Sequence, residues 1–169
     1  MADAHVLPDG LAVTIRPLLP SDREELAAGF ETLSKESRRR RFFTPDLVLD
    51  DRDLDYLTEL DQKDHVALAA LVHDGAPRGV AVGRYVRLPD DPCTAEVAVT
   101  VLDEFQGRGI GTMLLQALAD VAVGSGIQRF VTYVLWESDT LLDVLVAAGG
   151  RVVPAEPGVA RVELDLVGR

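Results

Sequence analysis

Seven residues, Gln106-Gly107-Arg108-Gly109-Ile110-Gly111-Thr112, stand between an alternating apolar run, Val97 to Leu102, and an amphipathic run that begins at Met113. A strand, a glycine-rich turn and a helix start in that order turn several backbone N–H groups toward one point, a setting for a phosphate or pyrophosphate. Two familiar phosphate loops fail on spacing. The dinucleotide fingerprint needs a third glycine where Thr112 stands, and a Walker loop needs a lysine where Gly111 stands. What is written is Q-x-x-G-x-G, on Gln106, Gly109 and Gly111. The plain alternative is that the glycines only permit a tight turn and a close contact between helix and strand.

The rest of the chain supplies the context for that loop. Val13 and Ile15 alternate with Thr14 and Arg16 in a first strand, and Ser21 with Glu24 reads as a capping box for a helix from about Asp22 to Leu33. Ser34 and Ser37 restart the chain into Arg38 to Phe43, and Leu54, Leu57 and Leu60 fall at helical spacing between Asp50 and Leu60. Strands follow over His65 to Val72, Gly79 to Leu88 and Ala95 to Leu102. A helix covers Thr112 to Val123, closed by Gly124 and Gly126. Arg129 to Trp136 is a fifth strand, and Ser138 or Asp139 caps a helix that ends at Gly149-Gly150. A short strand at Arg151 to Val153 and a last one through Val162, Leu164 and Leu166 complete the chain.

At 169 residues this is one domain, with residues 1–10 as an N-terminal extension. Net charge −11 argues against nonspecific nucleic-acid binding, which depends on Lys and Arg neutralising phosphates. The same field opposes a polyanionic ligand, so a local cation such as Arg108 must offset it, while a cationic amine is attracted. No apolar run reaches the roughly 18 residues of a membrane span, and Met1 to His5 lacks the features of a secretion signal, so a cytoplasmic protein without membrane partners is expected. The single Cys93 excludes an internal disulfide and a cysteine zinc cage, and it sits in a Pro-flanked turn with no histidine near it. His5, His65 and His73 show no metal-ligand spacing, so no metal is expected.

The loop written by Gln106, Gly109 and Gly111 resembles the pyrophosphate loop of the GCN5-related N-acetyltransferases (GNAT), and the resemblance runs from about Leu11 to the end. Val13-Thr14-Ile15-Arg16-Pro17, Asp22, Leu33 to Arg38 and Arg41-Phe42-Phe43 are similar to the matching stretch of the Pat-type bacterial lysine acetyltransferases. The element order agrees, implying an α/β (α+β) GNAT fold: a mixed, mostly antiparallel sheet of about seven strands flanked by about four helices.

The resemblance implies acetyl-CoA as donor co-substrate. Its pyrophosphate would rest on Gln106, Gly107, Arg108, Gly109, Ile110, Gly111 and Thr112, and its pantetheine would run along Val99, Thr100 and Val101, pairing with main-chain groups of Val99 and Val101. That pairing requires the strand to splay from Arg129 to Trp136. Glu96 matches the segment in which these enzymes carry a catalytic glutamate. By strand parity it leaves the face of Val97, Val99 and Val101, and it precedes Val99 by about 10 Å along the strand. Read alone, Glu96 would be an ordinary exposed residue.

The chain also departs from the family pattern. Ser138, counted with the donor site, stands where many members have asparagine. Leu145 stands for a tyrosine that protonates the leaving thiolate, and Gly150 for an aromatic. The thiolate then leaves unaided, or Tyr133 or another group assists. Trp136 and Tyr133 read as core or cleft wall. The Arg38 to Arg41 run reads as a solvated face paired with the acidic residues of Asp50 to Asp55. The acceptor is an amine, a protein lysine first. A small-molecule amine is the alternative, and a non-catalytic acyl-CoA sensor the rival from another class. The chain is read as a monomer or homodimer.

Overall fold

A computed structural model describes residues 3–168, except for the side chains of Asp139 and Thr140, so the proposed capping role of Asp139 lies outside the described atoms. Eight strands form one sheet in the order β1-β2-β3-β4-β5-β6-β8-β7. They are β1 (Asp3–Val6), β2 (Ala12–Pro17), β3 (His65–Val72), β4 (Arg78–Leu88), β5 (Asp91–Val101), β6 (Arg129–Leu135), β7 (Arg151–Glu156) and β8 (Val159–Asp165). Five helices are described: α1 (Arg23–Thr32), α2 (Lys35–Phe42), α3 (Asp51–Thr58), α4 (Ile110–Gly124) and α5 (Asp139–Ala147). Every neighbouring pair is antiparallel except β5 with β6, which is parallel.

The sequence had given seven strands and about four helices. The extra strand is β1, from the supposed extension, which pairs with β2 from Asp3↔Ile15 to Val6↔Ala12. All four of its residues are exposed, so it carries no buried alternation for a sequence reading to detect. The extra helix is α2, a run of eight residues whose four arginines mask any apolar face. The Ser21–Glu24 capping box does not form. The Asp22 carboxylate accepts the Leu19 N–H at 2.8 Å and takes Arg16 in a two-pronged pair at 2.7 and 2.9 Å. Ser34 and Asp50 do cap α2 and α3, accepting N–H groups three residues on.

Strand parity divides the sheet into two faces. Val66, Leu68 and Ala70 on β3, Tyr85 on β4 and Val97 on β5 pack with Leu114 and Leu118 of α4 into the larger core, joined by Phe130, Val162 and Leu164 from the far strands. Tyr85 and Phe130 are fully buried, with ring centres 5.7 Å apart. Burying rings of that size stabilises the fold by roughly 1.5–3 kcal/mol each. The opposite face carries the smaller cluster of Leu18, Ala67, Ala69 and Leu71, under α1 to α3. Gly83 marks how closely α4 sits: a Cβ there would lie 2.8 Å from Leu118 Cδ1.

Candidate functional site

The sheet opens beside the loop. β5 and β6 pair only at Thr94↔Arg129, Ala95↔Phe130 and Glu96↔Val131, and beyond that row β6 pairs with β8 alone. Two hydrogen bonds fix the parity of β5: Leu102 donates its N–H to Val80 on β4, whereas Cys93 accepts from Gln128 on the β6 side. Odd-numbered residues therefore turn their main-chain groups toward the opened side, and Val99 and Val101 have no partner strand there. The gap satisfies the splay that pantetheine pairing requires.

The loop at the mouth of this gap is shaped by two residues with positive φ, Gly107 (74°) and Gly109 (89°), a conformation that L side chains resist. Helix α4 starts at Ile110, two residues earlier than the sequence had suggested, with Gly109 as an N-cap that offers no side chain. The first amide inside that stretch to find a backbone acceptor is Met113, on the Gly109 carbonyl at 3.0 Å. From Gly107 to Thr112, six consecutive N–H groups have no protein acceptor among the described residues. An uncapped helix start next to two left-handed glycines is a cradle for a divalent anion such as a pyrophosphate.

The remaining loop residues divide their work. Gln106 does not reach into the cradle: its Nε2 donates to the Val101 carbonyl and to Ser37 Oγ, both at 3.0 Å, tying the loop to β5 and α2. Asp103 adds a second tie by accepting the Ser34 N–H at 3.2 Å. Gly111 has ordinary φ, and a Cβ there would sit 3.7 Å from Val99 and Val101, an ordinary packing distance against the valine face. Arg108 lies over the Phe105 ring, 5.2 Å from its centre, and 3.6 Å from Asp9 of the N-terminal segment. Thr112 is exposed and borders a hollow between α4 and the β1–β2 edge.

On the other face Glu96 is exposed and makes no hydrogen bond or ion pair among the described residues. Its cross-strand row is His65, Val86, Glu96, Val131, and the next row is Ala67, Arg84, Ala98. Arg84 is only 8% exposed and donates to the Leu57 carbonyl at 3.3 Å, with His65 Nε2 at 3.2 Å. Burial and the charge of Arg41 push its guanidinium down to about 10. Arg41 is held below its ordinary value by burial, an effect that Glu96 opposes. His65 is lowered by burial and by Arg84, which keeps the ring neutral.

The arginine run is therefore not one solvated face. Arg38 donates to the Phe30 and Glu31 carbonyls, Arg39 pairs with Glu137, Arg40 pairs with Glu36, and Arg41 turns inward to stack on Phe42. The Asp50 to Asp55 group instead serves Arg23, through Asp51 and Asp55. Ser37 is buried and Arg41 lies four residues on, on the same helical face, but that burial is visible only in the fold. Arg84 did give a signal in the sequence, as a charge inside a strand flanked by Val82 and Val86.

The departures have structural reasons. Leu145 is buried at 6% exposure in the core, so no proton donor stands at that position. A Cβ at Gly150 would come within 2.7 Å of the Leu145 carbonyl oxygen and of Val162, so no side chain fits, least of all an aromatic one. Ser138 is buried and makes no side-chain capping bond, though its carbonyl accepts from Leu141 and Leu142. Trp136 and Tyr133 are 43% and 37% exposed, so neither belongs to the core.

The family model for the "Acetyltransferase (GNAT) family" matches residues 30–139, which span the loop, the opened strand and Glu96. The chain belongs to the GNAT acetyltransferase family. Its relatives include "Acetyltransferase Pat" of Mycolicibacterium smegmatis, 36% identical over 90% of this chain and 45% of that protein. "Acetyltransferase PA5475" of Pseudomonas aeruginosa is 33% identical over 85% of this chain and 77% of its own length. Among solved structures, the GNAT domain of S. lividans PAT superposes with a TM-score of 0.89 at 35% identity, covering 97% of this chain and 96% of that domain. The chain thus spans about half the length of the Pat relative, and matches a GNAT domain nearly end to end. The GNAT fold and its N-acetyltransferase class follow, and the family uses acetyl-CoA.

Proposed function

We propose that the chain is an acetyl-CoA-dependent N-acetyltransferase that acts on a primary amine, with a protein lysine as the leading acceptor. The observation that carries this reading is the pairing of six uncapped amides on one side of the opened β5 with a free carboxylate, Glu96, upstream on the same strand. The residues present fit the donor: Gly107 to Thr112 would hold the pyrophosphate, and Val99 and Val101 would pair with the pantetheine arm. Acetyl-CoA, when bound, supplies the activated acyl group.

Each remaining task falls to a residue of this chain. Glu96, directly or through water, takes the proton that the amine loses as the new C–N bond forms. The Val99 N–H, turned into the gap, would donate to the developing oxyanion. Leu145 cannot protonate the departing sulfur, which leaves that proton to water or to another group such as Tyr133. Gln106 and Asp103 lock α2 against the loop, which holds the acceptor side at a fixed distance from the donor side.

Likeness to the Pat relative supports the protein-lysine reading, and a cytoplasmic setting accords with it. No described helix is long and apolar enough to cross a membrane. The test is mass spectrometry of a proteome incubated with the protein and labelled acetyl-CoA, beside a thiol-release assay over small amines. Labelled lysines are expected. Label on small amines alone would move the acceptor to that class. Binding of CoA with no thiol release on any acceptor would favour a sensor, the reading that the buried Leu145 motivates.

A further inference from the structure

Between α1–α2 and the sheet lies an open hollow, apolar along Leu26, Phe30, Leu57 and Val82 and cationic where Arg41 and Arg84 line it. The other charges lining it are engaged elsewhere. Arg16 pairs with Asp22 at 2.7 Å, and Glu25 accepts the Gly79 N–H at 2.6 Å. Arg84, more than nine-tenths buried, meets only a carbonyl and a neutral ring. No carboxylate lies within ion-pair distance of Arg41 or Arg84 among the described residues. A buried cation is ordinarily paired, and Arg84, facing the half-buried Arg41 without a partner, opposes folding. A charge kept at that cost is explained when a ligand completes the pair.

The place of the two arginines says which ligand. Arg84 is diagonal to Glu96 across the β4–β5 pair, about 7–8 Å away by antiparallel geometry, and Arg41 reaches the same neighbourhood from α2. An amine whose proton goes to Glu96 therefore has its neighbouring groups beside the two guanidiniums. Planar forks of five N–H donors suit a carboxylate.

We infer that Arg41 and Arg84 form a carboxylate subsite of the acceptor pocket, so that the preferred acceptor carries an anionic group beside its amine: in a protein, an Asp or Glu next to the modified lysine. This rests on the acetyltransferase reading above. It also resolves a conflict in the charge pattern. The global field draws cationic acceptors in, and the arginine pair selects among them by their anionic neighbour.

The experiment compares two peptides that differ only in Glu or Gln beside a central lysine, and separately free lysine with cadaverine, which lacks the carboxylate. The native protein is expected to favour the Glu peptide by roughly 10-fold or more in kcat/KM, as a charge-assisted contact allows. Arg41→Gln should bring the two peptides within about two-fold while CoA affinity holds, and Arg41→Lys should keep part of the preference. A preference confined to free lysine over cadaverine would assign the subsite to a small amino acid's own carboxylate. Equal use of both members of both pairs, or a preference that survives Arg41→Gln, overturns the inference. If no acceptor turns over, calorimetry with the two peptides on CoA-saturated protein still decides it: tighter binding of the Glu peptide, abolished by Arg41→Gln, sustains the subsite, and equal binding removes it. Failure of turnover alone counts against the acetyltransferase reading.

Discussion

The proposed donor side and the proposed acceptor side of this domain are built from different materials. From Gly107 to Thr112 the contacts on offer are main-chain N–H groups, shaped by two left-handed glycines and the start of α4. Across the sheet the proposed chemistry belongs to side chains, Glu96, Arg41 and Arg84, delivered by three separate elements. A backbone site recognises what every member of a family shares, because it depends on conformation. A side-chain site can change acceptor with a few substitutions and leave the fold alone.

The largest expected effect lies on the donor side. Gly109→Val places a β-branched residue at φ 89°, which distorts the loop, and should weaken CoA binding by about 100-fold or more in a calorimetric titration. Gly111→Ala, by contrast, adds only ordinary contacts at 3.7 Å and should cost a few-fold at most. Equal losses would erase the distinction between a glycine that shapes the cradle and one that packs. Glu96→Gln should then cut turnover by roughly 100-fold with CoA affinity unchanged, as read by thiol release beside the same titration. Unchanged turnover would take Glu96 out of the mechanism and leave the acceptor side without its base.

A smaller effect tests the frame that carries both sides. The Arg16 pair and the Leu19 N–H hold the Asp22 carboxyl below its ordinary range, so this contribution to stability is fully present above about pH 4 and fades as pH falls through the lower folded value. His65, also lowered, acts with the same sign: the unfolded chain takes up its proton near pH 6.5 while the folded ring resists, so stability falls on acidification from there. Asp22→Asn should cost about 1–3 kcal/mol in denaturant melts at pH 7, and the gap from the native protein should narrow toward pH 3. A gap that stays constant with pH would mean that the pair contributes through packing alone.

The same contrast explains what could be read in the sequence. The cradle was legible because glycine spacing dictates backbone conformation directly, and the alternation of Val97, Val99 and Val101 set which face α4 covers. Strand β1 was not, since four exposed residues at a sheet edge carry no pattern. Neither was the destination of Arg41. Four like residues in succession present the same chemistry to every side of a helix, and only the burial of Phe30 and Ser37, with Phe42 packed against Phe30, decides which one turns in. Gln106 was assigned to the ligand by its motif, whereas its side chain serves the protein by joining β5 to α2. The lack of room for a Cβ at Gly150 depends on a carbonyl from α5 and a valine from β8, a meeting that no local pattern encodes.

The central claim is that free amides between Gly107 and Thr112 bind the pyrophosphate of CoA. Calorimetric titration of the native protein with CoA, and then with pantetheine, which lacks the pyrophosphate and its nucleotide, tests it most directly. Tight one-to-one binding of CoA, with affinity collapsing once the pyrophosphate is gone, is the expected result; equal affinity for the two ligands, or no heat with either, would contradict it.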